Sequence, residues 1–173
     1  YAANPLSPLQ LRVFPERTDV MRFGALYSGF IETADFEKRL FAMERRDGTF
    51  HVDWEAFTGW GEIPWAELPE KRPTEPVKLR AHVRLDDYYN FAYADTAKWG
   101  CFRIGPISGE QVLYGYVPRK SAVFTTLRDR CRSSPLVLAV IKVRYAEGSK
   151  TADQVEITDF VCAGWVEDAG DAT

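Results

Sequence analysis

Five polar side chains carry most of the chemistry available to this sequence, and strand parity groups them. In Phe50-His51-Val52-Asp53-Trp54 polar and apolar residues alternate, so His51 and Asp53 share a face opposite Phe50, Val52 and Trp54. The run Leu79-Arg80-Ala81-His82-Val83-Arg84 places Arg80, His82 and Arg84 together by the same rule. Were the two strands neighbours with these faces on one side, two imidazoles, a carboxylate and two guanidiniums would converge. Such a set could bind an anionic small molecule, with Arg80 and Arg84 as the ligand-binding groups. It could also move protons, with His82 or His51 as the acid–base group and Asp53 orienting the ring. His82, Asp53 and His51 are therefore the candidate catalytic residues. The plainer alternative is an antiparallel sheet that keeps one face wet and decorates it with cross-strand charge pairs.

Other constellations are weaker. Asp86-Asp87-Tyr88-Tyr89-Asn90 offers the oxygens a hard cation wants, but it lacks the glycine and distal glutamate of a calcium loop. Asp and Asn at a strand end bond their own backbone, so a turn is expected there. Glu55, Glu62 and Glu67 near Trp54, Trp60 and Trp65 resemble the equipment of sugar sites, although acids on a solvent-facing stretch are ordinarily just solvated. No G-x-S-x-G, H-E-x-x-H, phosphate-binding glycine loop or dinucleotide fingerprint occurs, and nothing local activates Ser121 or Ser133. Cys101, Cys131 and Cys162 form no CxxC and have no His at ligand spacing, so no metal and no cofactor are expected. Three cysteines allow at most one bridge; Cys101 and Cys162 lie in strand-like runs and read as buried thiols.

The elements that must position these groups follow from patterning. With 173 residues, 46% hydrophobic, and 24 aromatics (Phe 11, Tyr 8, Trp 5), the chain can bury one core without staples. It reads as a single domain over 1–173, with residues 1–18 an extended, proline-interrupted lead-in and 167–173 a frayed acidic tail. Asp19–Ile31 reads as a strand bent at Gly24 and Gly29. Asp47-Gly48 is a strong hairpin signal and pairs Arg39–Arg45 with Thr49–Trp54. A short helix is expected near 62–70, then strands over Val77–Leu85, Trp99–Ile104 and Gln111–Val117. Ser121 should cap a helix running to about Arg132. Pro135–Tyr145 is apolar enough to be covered on both faces, and Asp153–Val166 makes a last long strand. Short connections favour antiparallel neighbours. The fold class is thus α+β, a strongly curved, mainly antiparallel sheet of about six to eight strands packed against a few short helices, wrapped cone-like around a pocket.

A formal net charge of -3 gives no general pull toward polyanions, so no nucleic acid partner is expected. No run of 18 or more apolar residues could span a bilayer. The chain opens on Tyr1 and reads as a fragment, with an anchor or signal upstream, which favours an extracytoplasmic, membrane-anchored setting over a cytoplasmic one.

Phe50-His51-Val52-Asp53-Trp54-Glu55, Asp87-Tyr88-Tyr89-Asn90, Leu113-Tyr114-Gly115-Tyr116-Val117 and Gly164-Trp165-Val166, taken together, resemble an uncharacterised family of bacterial proteins. The resemblance spans most of the chain from Asp19 and implies an upstream membrane anchor, but no catalytic residue. The order of elements also resembles the cone of nuclear-transport-factor-like and SnoaL-like proteins, which implies a pocket under the sheet.

Two functions follow as expectations. The first is a non-enzymatic binding or interaction domain for an unknown protein or small-molecule partner, with a homodimer compatible with it. The second is a small-molecule pocket protein, or an isomerase- or cyclase-like enzyme of the SnoaL-like type, using His82 and Asp53. A purely structural module is the third reading.

Overall fold

The computed structural model describes residues 11–12, 21–23, 26–33, 38–106, 109, 111–135 and 137–166. The lead-in over 1–10 and 13–18 and the tail over 167–173 lie outside the described residues. The single bent strand expected over Asp19–Ile31 is instead two strands, Met21–Phe23 and Leu26–Thr33, paired antiparallel with each other. Where the sequence pattern reads as one domain, the chain divides into two compact units, residues 1–58 and 59–173.

The first unit is an antiparallel sheet. Its strands are β1 (Leu11–Arg12), β2 (Met21–Phe23), β3 (Leu26–Thr33), β4 (Lys38–Arg46) and β5 (Thr49–Val52), followed by helix α1 (Trp54–Thr58). The order is β1-β3-β4-β5, with β2 also on β3. Asp47 and Gly48 take φ of 51° and 80°, the left-handed pair that matches strand twist in a two-residue hairpin. Met43 faces Val52 and Arg46 faces Thr49 across it, which is the expected pairing. The second strand stops short of Trp54 because Asp53 turns the chain. Its N–H donates to the Ala42 carbonyl at 2.8 Å, and its Oδ1 accepts the Ala56 N–H at 2.9 Å as the cap of α1.

The second unit begins with a 3-10 turn at Trp65–Glu67 and the short helix α2 (Leu68–Lys71). Then come β6 (Val77–Asp86), β7 (Trp99–Gly105), β8 (Leu113–Pro118), helix α3 (Ala122–Ser133), β9 (Val137–Arg144) and β10 (Gln154–Ala163). As short connections predict, β6, β7 and β8 are antiparallel neighbours. The strand β9 returns to lie antiparallel beside β6, a pairing that no connection length indicates. The last strand is antiparallel to β9 and parallel to β8, so the sheet closes into a five-stranded barrel in the order β10-β8-β7-β6-β9. The expected cone therefore closes: β10 occupies the edge of β8 that a cone would leave open.

Period-two alternation now has a definite inside. Leu79, Ala81, Val83, Phe102, Ile104, Val117, Ile141 and Val155 point inward and are buried, and Phe124 and Leu127 of α3 join the same core. Ser121 caps α3 as expected, its Oγ accepting the Phe124 N–H at 3.1 Å. Gly115 is needed where β8 meets β10, because a Cβ there would lie 2.6 Å from Ile157 Cδ1. None of the three cysteines is in a disulfide; Cys101 is buried as expected, whereas Cys162 is only half-buried, its Sγ donating to the Val166 carbonyl.

Arg80 is the exception to the wet-face reading of β6. Its side chain is only 2% exposed, and its Nε and Nη1 donate to the carbonyls of Trp165 and Trp60 at 2.8 and 2.9 Å. In return the indole N–H of Trp65 donates to the Arg80 carbonyl at 3.2 Å and that of Trp165 to the Ala81 carbonyl at 3.1 Å. Arg80 thus ties the segments on either side of the barrel to β6 instead of facing a ligand. Arg80→Ala leaves those carbonyls without their charged donor. It should cost about 2–4 kcal/mol of unfolding free energy by urea titration, and a change below about 0.5 kcal/mol would refute this role.

Candidate functional site

The outer faces of β6, β7 and β8 form two successive rungs. Arg84 lies opposite Arg103, Arg103 opposite Tyr114, and Tyr114 opposite Gln154 of β10. Two residues along, Asp86, Cys101, Tyr116, Glu156 and Arg144 make the next rung.

The connection between β6 and β7 is folded over this second rung. It starts with the turn expected at Asp86, whose Oδ1 accepts the N–H groups of Asp87 and Tyr88 at 2.8 and 3.1 Å, so this carboxylate serves its own backbone. Tyr88 then stacks on Tyr114 with ring centres 4.1 Å apart, and Tyr93 stacks on Tyr116 at 4.0 Å and 3°. The Tyr116 hydroxyl donates to the Tyr88 carbonyl at 2.7 Å and accepts from Gln154 Nε2 at 2.9 Å. Gln154 Nε2 also donates to Asn90 Oδ1, and Gln154 Oε1 accepts from Thr151 Oγ1 at 3.0 Å. The Tyr89 hydroxyl accepts from the Cys101 N–H at 3.2 Å and from Arg119 Nη2 at 3.1 Å. Aromatic stacking and a satisfied polar network thus hold the whole connection in one place. At its outer end Phe91 sits at φ 50°, an unusual conformation for a bulky residue, and is 71% exposed.

Burial sets the electrostatics of the covered rung. It pushes the Tyr93 hydroxyl up to about 12, helped by the Glu156 carboxylate, and the Cys101 thiol up to about 12, helped by Asp86. The Tyr116 hydroxyl is raised for the same reason.

The arginine end of the first rung stays open, whereas Tyr114 lies under Tyr88 and Gln154 is buried. Arg84 and Arg103 are exposed, and no described residue hydrogen-bonds or ion-pairs with either guanidinium. His82 follows on the same face of β6, with its Nδ1–H donating to the Pro106 carbonyl at 2.8 Å. Burial lowers the His82 pKa against the pull of that carbonyl, and the charges of Arg84 and Arg103 lower it further. The imidazole is therefore neutral near pH 7.

The sequence-predicted residues separate as follows. His82 and Arg84 share the open face of the barrel, and Arg80 is sealed among carbonyls. His51, exposed on β5, and Asp53, the cap of α1, belong to the other unit. Sequence reasoning missed Arg103 and Tyr114. Both were within reach, since the hairpin at Gly105 fixes which residues of Trp99–Ile104 and Gln111–Val117 point outward. Among the described residues no three His, Cys, Asp or Glu side chains lie together as a metal site, and no helix is long and apolar enough to cross a membrane.

The five-stranded Greek-key order, closed by a parallel pairing and with a helix between the third and fourth strands, is similar to that of OB-type barrels. No protein-family model, curated protein or solved structure matches the chain.

Alkali gives a check on the covered rung. Tyr93 ionises at about 12 in the folded protein and near 10 when unfolded, and Cys101 moves from 9 to about 12. Both raised values favour the neutral, folded form, so this stability is complete below pH 9 and is lost as pH climbs toward 12. Urea midpoints should fall steadily over that window, and a flat profile would contradict the burial. Tyr116→Phe should cost about 1–3 kcal/mol and speed amide exchange in residues 88–93. Unchanged exchange there would show that the hydroxyl does not hold the connection.

Proposed function

We propose that this chain is a non-enzymatic binding module that takes its ligand on the open outer rung of the barrel, beside the Tyr88–Tyr114 stack. The observation that carries this reading is the exposed pair Arg84 and Arg103, facing each other across β6 and β7 beside aromatic rings already locked in place. Like charges directly opposite each other weaken a sheet, and an arrangement that costs stability is where function is sought. The barrel interior is filled by its own side chains, which leaves a ligand the outer surface. OB-type barrels use this face, formed by the second and third strands and the loops beside it. The clamped connection supports the reading too, because a surface ordered in advance loses little entropy on binding.

The groups on the open rung suit holding better than reacting. A guanidinium keeps its proton, and the Nδ1–H of His82 is committed to a backbone carbonyl. The alternative, an isomerase- or cyclase-like enzyme, would pair His82 with Asp53, and Asp53 Oδ1 already caps α1.

Amide NMR spectra recorded with neutral oligosaccharides, short peptides and small anions test this reading. Ligand shifts should map to Arg84, Arg103 and Tyr114, with the ligand recovered unchanged. Shifts mapping instead to His51 and Asp53, or turnover of the ligand, would overturn it.

A further inference from the structure

We propose that Arg84 and Arg103 together form a receptor for one phosphate monoester carried by a small ligand. This deepens the binding-module reading and rests on it. The two residues are cross-strand partners, both exposed, with no described acceptor bonded to either side chain. One guanidinium suffices for a carboxylate, which offers two oxygens and one charge. A phosphate monoester offers three oxygens and nearly two charges, so it can accept a fork from each of two guanidiniums at once. A bound dianion attracts each guanidinium and so offsets the mutual repulsion of the pair.

The surroundings fit a single anionic group better than a chain of them. Asp86 begins the neighbouring rung, Asp87 follows it, and the whole chain carries a formal net charge of -3. A polyanion laid along the face would bring further phosphates against those carboxylates. On the other side His82 stands close by and uncharged, its ring held by the Pro106 carbonyl. Gly105 lets the imidazole lie there, since a Cβ at 105 would fall 3.3 Å from His82 Cε1 and 2.4 Å from the Gln111 carbonyl oxygen. The imidazole is therefore a built-in reporter: a dianion on Arg84 and Arg103 cancels the charges that help hold its pKa down.

The experiment follows the His82 imidazole and the arginine Nε–H signals by NMR in the full chain, with inorganic phosphate and with phenyl phosphate. The expected result is a saturable shift of the Arg84 and Arg103 signals and a rise in the His82 pKa on binding. Arg84→Gln and Arg103→Gln should each weaken binding about tenfold or more while leaving the circular dichroism spectrum unchanged. Each variant should also raise the His82 pKa without any ligand, which checks the geometry independently of affinity. The proposal is overturned by a linear response to phosphate, by equal binding in the double variant, or by an oligothymidylate that binds more tightly than phenyl phosphate with a steep salt dependence. A neutral sugar or peptide that binds at Tyr114 with no response to phosphate would remove the phosphate receptor and leave the binding module standing.

Discussion

Gln154, Val155 and Glu156 run beside Tyr114, Gly115 and Tyr116 in a short parallel contact, and the second unit owes both its shape and its surface to it. The contact joins the last strand to the third strand of the barrel, and closing the sheet leaves neither with an open edge. Closure also fixes what is inside. Val155 and Ile157 turn into the core against Gly115, while Gln154 and Glu156 face outward beside Tyr114 and Tyr116. Gln154 then reaches the Tyr116 hydroxyl and Asn90, so the residues that close the barrel also anchor the connection lying on it.

The contrast between neighbouring rungs follows from that anchoring. One rung is covered by Tyr93, stacked on Tyr116, and its polar atoms find partners in the network. The next is left with two opposed arginines in solvent and a tyrosine whose ring is backed by Tyr88. A sheet selected only for stability would place opposite charges across β6 and β7. The Tyr-rich segment Asp87–Tyr93 thus does two things: it buries one rung and gives the other a firm aromatic border.

Much of the fold was legible because local chemistry decides it. Asp47-Gly48 made its hairpin, Ser121 capped α3, Asp86 turned the chain, and the alternations at Leu79–Leu85 and Pro135–Tyr145 became neighbouring strands of one layer. Closure was not legible. A parallel pairing between strands separated by a helix and another strand leaves no mark on the periodicity of either. The division into two units was hidden for a similar reason, since a boundary at Thr58 falls inside a Trp-rich stretch with no linker composition. Arg80 misled because alternation reports which side a residue faces, not what covers that side, and here Trp60 and Trp165 cover it. Of the candidate site, parity found His82 and Arg84 and could also have put Arg103 on an outer face, but that Arg103 stands opposite Arg84 follows only from the register of β6 with β7.

Nuclear Overhauser contacts between β8 and β10 test the central claim most directly, because barrel closure is what separates the core from the outer face proposed to bind. Closure requires backbone contacts that advance together along both strands, from Tyr114 with Gln154 to Tyr116 with Glu156. Contacts that run in opposite directions along the two strands, or none between them, would mean that the barrel is open and that its outer rungs do not exist as described.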